Sequence, residues 1–474
     1  MTNTQVIKIT GQSSQSSVMD KAIAIGLIVI IVFTALAHGA VEEWSVAIFE
    51  SMAVVLILLW AVKAAAERSL KVTVPTIALP LTALLILGLF QSISIKDSGG
   101  QLRSLSMDVE STREAVMVLF SLLACFMIAA NFFVGRERLR ALAGFLVVYG
   151  MALAVFALIQ YLTWNGRFFW FRVTDVKGFG PFVNKNHFAG YMELLIPIPV
   201  ALIVTRGVRE ARLLFGFAAA IMGVAAVVSL SRGGWVSVFV GLMFIAAMGV
   251  RFPEGGTAYH NQSKGTILVR IGAVGAILAA IIAGVIWIGA DPIMERINPE
   301  QLPFAKARQV DESPGGREYI WRQTWNMIRA HPLLGVGFGA YQTAYPIYTH
   351  EDGLWVIDKA HNDYLQLLAE CGIVGGVLAL WFIVSIFRAV ASGARSRDPL
   401  VAGLALASGA AILSMLVHSL VDFNLQIPSN ALLFLTMSAV AASTSTSVAE
   451  RNSEGPLHQT VQVSTAELAT GVSS

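Results

Sequence analysis

Charge is what this sequence has least of. Asp, Glu, Lys and Arg make up 13% of its 474 residues, against 56% hydrophobic, whereas a soluble globular domain carries about 25% charged residues. That shortage excludes water as the main solvent of the chain and puts most of it in lipid. Cysteine is nearly absent as well. Cys125 and Cys371 both lie within or at the edge of apolar segments, which excludes a disulfide framework and reads as two small buried apolar residues. No long polar linker interrupts the run from Ala22 to Val448, so one membrane domain is expected where length alone suggests several. The net charge of +3 gives no nucleic-acid signal, because the basic residues fall in short clusters between apolar runs. There is no Asp-x-Asp pair, no Cys/His ligand spacing and no Walker-type loop, so neither a metal nor a cofactor is expected.

What the chain has in quantity is hydrophobic length. A spanning helix takes about 20 mostly apolar residues, and the segments 22–37, 46–62, 74–93, 114–134, 141–163, 188–205, 213–231, 233–250, 271–290, 365–387, 400–421 and 430–448 approach it. The expected fold is all-α, a polytopic transmembrane bundle of about twelve helices spanning residues 22–448. Only Arg232 separates 213–231 from 233–250, which leaves a tight hairpin or one broken helix open. Met1–Lys21 reads as a polar cytoplasmic tail before a retained first helix, with no convincing cleavage site. Residues 449–474 are Ser/Thr-rich without apolar periodicity, which predicts a disordered cytoplasmic tail.

Short cytoplasmic loops carry the excess of Lys and Arg. Lys63, Arg68 and Lys71; Arg136, Arg138 and Arg140; Arg206, Arg209 and Arg212; Arg251, Lys264 and Arg270; and Arg388, Arg395 and Arg397 occupy every second connection. Those connections and both termini are expected in the cytoplasm. The loop 291–364 then faces the opposite side and is long enough to fold on the membrane surface. Within it, Arg317–His331 has aliphatic and aromatic residues at helical spacing, which predicts an amphipathic helix ended by Pro332. The outer segment Trp164–His187 breaks the charge rule, with Arg167, Arg172, Lys177 and Lys185 against Asp175 alone.

Five polar pieces reach this outer side. His361, Asn362 and Asp363 open the run HNDYLQLLAECGIVGG where the long loop re-enters the membrane. His361 either helps cap the following helix or serves as a base, since an imidazole accepts a proton near neutral pH. Glu370 lies about two turns further on, where a carboxylate needs a partner or a cavity. SLSRGGW, Ser229–Trp235, puts Arg232 at the outer edge, either snorkelling or holding a phosphate bidentately beside two glycines. SPGGREYIW, Ser313–Trp321, starts the amphipathic helix with Arg317. GPFVNKNHFAGY, Gly180–Tyr191, brings Asn184, Lys185, Asn186 and His187 to an outer helix end, suited to capping or to glycan hydrogen bonds. His418 and Asp422, with Asn424 and Gln426, mark another outer end and read as structural ahead of catalytic. A transport path would spread such groups through depth, where Glu50 and Glu193 are the main ionisable residues. An enzyme working on a substrate displayed at the outer leaflet would gather them on one face.

The stretch GREYIWRQTWNMIRAHPLLGVGFGAYQTAYP, followed by AHNDYLQLLAECGIVGG, resembles the signature region of the O-antigen ligase family, which includes O-antigen polymerases and protein O-oligosaccharyltransferases. FVNKNHFAGYMELLIP, LSRGGW and HSLVDFNLQIPSNALLF resemble it too, so the likeness runs from about Gly180 to Phe434. It implies a metal-independent, inverting membrane glycosyltransferase of the bacterial inner membrane. The donor would be a glycan on undecaprenyl diphosphate, and the acceptor a lipid A core sugar, a growing glycan or a protein hydroxyl. Residue by residue, Arg232 and Arg317 match the family's diphosphate-binding arginines, and His361 matches its acceptor-activating histidine.

Overall fold

The computed structural model of the protein describes residues 14–69, 72–96, 102–173, 178–208, 211–249, scattered helical positions between 272 and 283, 316–349 and 356–453. The chain is an all-α polytopic membrane protein. Its helices are α1 (Ser14–Leu36), α2 (Glu43–Ala66), α3 (Ala78–Gln91), α4 (Val109–Phe132), α5 (Arg136–Leu162), α6 (Lys185–Leu195), α7 (Pro197–Val204), α8 (Arg212–Val228) and α9 (Arg232–Gly249), then α10 (Arg317–Ala330), the short α11 (Tyr341–Ala344), α12 (Asp363–Gly393), α13 (Pro399–His418) and α14 (Pro428–Ser453). Two small antiparallel ribbons, Ser94–Lys96 with Leu102–Ser104 and Arg167–Phe168 with Arg172–Val173, sit in the connections.

Among the described residues, eight helical segments are long and apolar enough to cross a bilayer, and α3, α8 and α9 are shorter apolar helices. Every expected span except 271–290 therefore has its helix, and that one lies almost wholly outside the described residues. α6 and α7 together form one such segment, Lys185–Val204. The ambiguity at Arg232 resolves into two helices: Leu230 takes a left-handed φ of 60°, and the Ser231 hydroxyl accepts a hydrogen bond from Gly234 N at the start of α9. Two boundaries differ from expectation. Ser14–Lys21, expected in a polar tail, belongs to α1, and α14 runs past Val448 into residues expected to be disordered. The rest of both tails, the bases Lys71, Lys177, Arg209, Arg251, Lys264 and Arg270, and residues 291–315 and 350–355 of the long loop lie outside the described residues.

The bundle has two chemically distinct ends. At one, Lys63 and Arg138 both pair with Asp20, at 3.2 and 2.7 Å, and Arg136 pairs with Asp398 at 2.8 Å. These contacts gather the start of α1, the end of α2 and the starts of α5 and α13, where the basic clusters were expected together. The other end collects the polar pieces. α6 and α13 are almost wholly buried, as is α7, whereas α2 and α12 turn side chains such as Val54, Leu58, Val377 and Leu380 outward. The central helices thus carry the polar end on a rigid, apolar-packed frame.

α12 shows why one hydrophobic run is not one straight helix. Its 31 residues would reach about 46 Å at 1.5 Å per residue, well beyond a hydrocarbon core of about 30 Å. The chain breaks at Gly372, φ 61°, in a conformation that suits a residue without Cβ, and there it lies against the backbone of Leu333. The first part of α12 therefore packs on the α10–α11 segment, and Val336 and Gly337 donate their amides to Ala369 and Glu370. α10 coincides with the expected amphipathic helix, burying Ile320, Met327 and Ile328 while Trp325 stays half-exposed.

Candidate functional site

The site is built on the turn between α13 and α14. That turn begins when Val421 and Asp422 both donate their amides to the His418 carbonyl, which folds the Asp422 side chain inward until it is 1% exposed. A carboxylate so placed needs partners. Asn186 Nδ2 donates to Oδ2 at 2.6 Å, an Arg317 guanidinium nitrogen stands 3.8 Å from the same oxygen, and His361 Nδ1 stands 3.9 Å from Oδ1. Burial by itself would raise the Asp422 carboxyl, but the His361 ring, then His187 and His418, outweigh it and hold it down at about 2.

The start of α12 is stitched to the same turn. Asp363 accepts from the Ser419 hydroxyl at 2.7 Å and from Leu425 N at 3.2 Å, Asn362 Nδ2 donates to the Leu420 carbonyl at 2.8 Å, and the Tyr364 hydroxyl donates to the Leu416 carbonyl at 2.7 Å. Asn362 is also the helix cap, accepting from the amides of Tyr364 and Leu365. His361, which could have been that cap, is left outside the helix with a left-handed φ of 50°, a conformation costing about 1–2 kcal/mol for a side-chain-bearing residue. Its ring is one-third exposed and meets Phe423 edge-on at 4.9 Å between centroids, as His187 does from α6.

The remaining expected residues divide. Asn184 caps α6 through Asn186 N, and Lys185 is half-buried in the first turn. Arg232 opens α9 with an exposed side chain, and the next residue, Gly233, lies against the His418 ring and Val421, so Arg232 and Arg317 flank the same turn. His418 itself is buried, in a pair with Glu193 at 3.0 Å. Glu370 does not join: it accepts from Gln366 at 3.0 Å and faces the amides of Gly339 and Tyr341, which makes it the anchor of the glycine-rich loop. Of the bases between Trp164 and His187, Arg172 is engaged by Glu42 at 2.8 Å, which ties the α5–α6 connection to the α1–α2 connection. Among the described residues no three His, Cys, Asp or Glu side chains form a metal-binding group.

A cavity of about 950 Å³ adjoins this cluster. At one end Asn184, His187 and Asp358 line it, and its walls continue to Leu122, Phe382 and Phe434 on α4, α12 and α14. Its wall is mostly apolar away from the cluster, but it also carries the carboxylates of Glu50 on α2 and Glu114 on α4. Sequence reasoning ranked Asp422 as structural and did not single out Phe423 or Ser419. Asp422 follows His418 by one helical turn at the end of α13, which marked its location but not its partners.

Residues 217–380 match the family model described as O-antigen ligase, so the resemblance drawn from the motifs holds over roughly a third of the chain. The matched stretch includes Arg232, Arg317 and His361; Asn186 and Asp422, which the fold brings to them, lie outside it. The chain is also 26% identical over 219 residues to the exopolysaccharide production protein ExoQ of Rhizobium meliloti (strain 1021). That similarity covers 44% of this chain and 45% of ExoQ, so less than half of either protein is spanned.

Proposed function

We propose that this protein is a glycosyltransferase of the bacterial inner membrane, moving a glycan from undecaprenyl diphosphate to an acceptor hydroxyl on the periplasmic side, without a metal and with inversion. The observation that carries the reading is Asp422, which faces His361 with one oxygen and Arg317 with the other, beside a cavity walled largely by apolar side chains. His361 takes the acceptor proton as the hydroxyl attacks the anomeric carbon; the bond to the diphosphate oxygen breaks on the far face. Asp422 stabilises the imidazolium so formed, the role a carboxylate plays behind a catalytic histidine. The separation of 3.9 Å exceeds a hydrogen bond, and such contacts tighten when substrate binds. Arg317, 44% exposed, and Arg232 present guanidinium edges to the departing diphosphate, fixed positive charge where the negative charge develops. The apolar walls of the cavity suit the isoprenoid tail, and both termini lie in the cytoplasm.

For the acceptor, a lipid A core sugar and a growing polysaccharide use the same chemistry. The name of ExoQ, an exopolysaccharide production protein, favours the growing polysaccharide. Of the two carboxylates that a transporter reading would use, Glu193 is paired with His418 inside the bundle, while Glu50 lines the cavity. The deciding experiment is transfer in proteoliposomes, read as released undecaprenyl diphosphate together with product size. A ladder of products indicates a polymerase and a single added glycan a ligase. His361→Ala is expected to slow turnover about 10²–10⁴-fold with donor binding retained and with no effect of EDTA on the wild type. Absence of release with every acceptor, or an undiminished His361→Ala variant, would reject the reading.

A further inference from the structure

Glu193 and His418 form a buried pair that the proposed chemistry does not use. They are 0% and 1% exposed, Glu193 Oε2 lies 3.0 Å from His418 Nδ1, and they join two neighbouring helices, α6 and α13. Each helix carries a site residue: Asn186, which binds Asp422, lies two turns before Glu193 on α6, and the His418 carbonyl receives the Asp422 amide. The other edge of the His418 ring meets a third element. A methyl group placed on Gly233 would stand 2.7 Å from His418 Cδ2 and 2.9 Å from Nε2, and one on Gly234 would stand 2.6 Å from Cβ of Ala189 in α6. The first turn of α9, which begins with Arg232, is thus seated directly on α13 and α6, and the Glu193–His418 pair locks those two helices at the place where it sits.

We propose that Glu193 and His418 are positioning residues: their pair sets the platform for the first turn of α9 and so fixes Arg232 relative to Asp422 for holding the donor diphosphate. This rests on the reading of Arg232 as a diphosphate ligand. A planar guanidinium is sensitive to such placement, because two-point binding of phosphate is lost when the fork is turned or shifted. The consequence is read in donor binding, because neither side chain is hydrogen-bonded to His361, and a shift of Asp422 passed on through Asn186 or the His418 carbonyl would appear in kcat, not in acceptor KM.

The test measures the affinity of the full-length protein in nanodiscs for undecaprenyl diphosphate, and donor KM, acceptor KM and kcat in the transfer assay. Glu193→Leu is expected to weaken donor binding about tenfold, corresponding to about 1.4 kcal/mol, with acceptor KM unchanged. Glu193→Gln, whose carbonyl still accepts from Nδ1, is expected to recover most of that loss. Removing one member of a buried pair can prevent folding, so Gly233→Ala supplies a second probe: it leaves the pair in place and pushes the α9 turn off the His418 ring. It should give the same donor-selective loss. Unchanged donor affinity in both Glu193→Leu and Gly233→Ala, or donor and acceptor terms worsening equally, overturns the proposal. A wild type that binds undecaprenyl diphosphate in a Glu193-dependent manner but transfers no glycan would reject the proposed function and uphold the tie.

Discussion

Asp422 and His361, from different helix ends, meet at 3.9 Å through a carboxylate that is almost completely enclosed. The enclosure matters as much as the distance. A carboxylate held down at about 2 is ionised throughout the working range, so the pair can stabilise an imidazolium at any pH the cell meets.

Replacing Asp422 by Asn is expected to lower turnover by 10² or more, by analogy with carboxylates behind catalytic histidines. It should also remove a pH-dependent part of stability. The folded carboxyl lies below its unfolded value of 3.8, so its contribution, on the order of 2 kcal/mol, is complete above about pH 4 and is lost as pH falls towards 2. The Tm difference between wild type and variant should therefore shrink below pH 4. A difference that stays constant from pH 6 to pH 2.5 would assign the stability to packing.

Arg232→Lys and Arg317→Lys each keep the charge but lose the planar fork. Each should raise the donor Kd by about tenfold or more, the cost of one lost charge-assisted contact. For Arg317 the contact with Asp422 at 3.8 Å offers Lys an alternative partner that draws it away from substrate. Near-normal donor binding in both variants would reduce these residues to membrane-edge charges.

Gly372→Ala tests the kink in α12. The new methyl would stand 2.3 Å from the carbonyl carbon of Leu333, in backbone with φ 61°, so backbone must move as well as side chain. A loss of about 1–3 kcal/mol should appear as a lower Tm in fluorescence-detected size exclusion, with His361 activity reduced in the surviving fraction. A variant as stable as wild type would mean that the α10–α12 packing yields easily.

Orientation can be checked with a cysteine label, because Cys125 and Cys371 are both buried and give little background. Ile347, 67% exposed, lies at the site end, and Glu67 lies at the basic end beside Lys63. Ile347→Cys should react with an impermeant maleimide in intact spheroplasts and Glu67→Cys only after lysis. The reverse pattern would place the site in the cytoplasm.

The membrane class, the helix positions and the segregation of polar pieces from basic clusters were readable in the chain itself, because each rests on local quantities: the apolar length that lipid demands and the charge at successive loops. The same local reading singled out Arg232, Arg317 and His361, which stand in short motifs. It could not say that Asn362 caps α12 while His361 stays outside the helix, since both suit a helix start and only the bonds to Tyr364 and Leu365 choose between them. Nor could it rank Asp422 or pair Glu193 with His418. Those roles depend on which helix lies beside which, and helix neighbours in a bundle are selected by packing between distant segments: Gly233 on His418, Gly234 on Ala189 and Gly372 on Leu333. The sequence supplied the groups and the end of the bundle at which they stand, and close backbone contacts in three dimensions determined which of them meet.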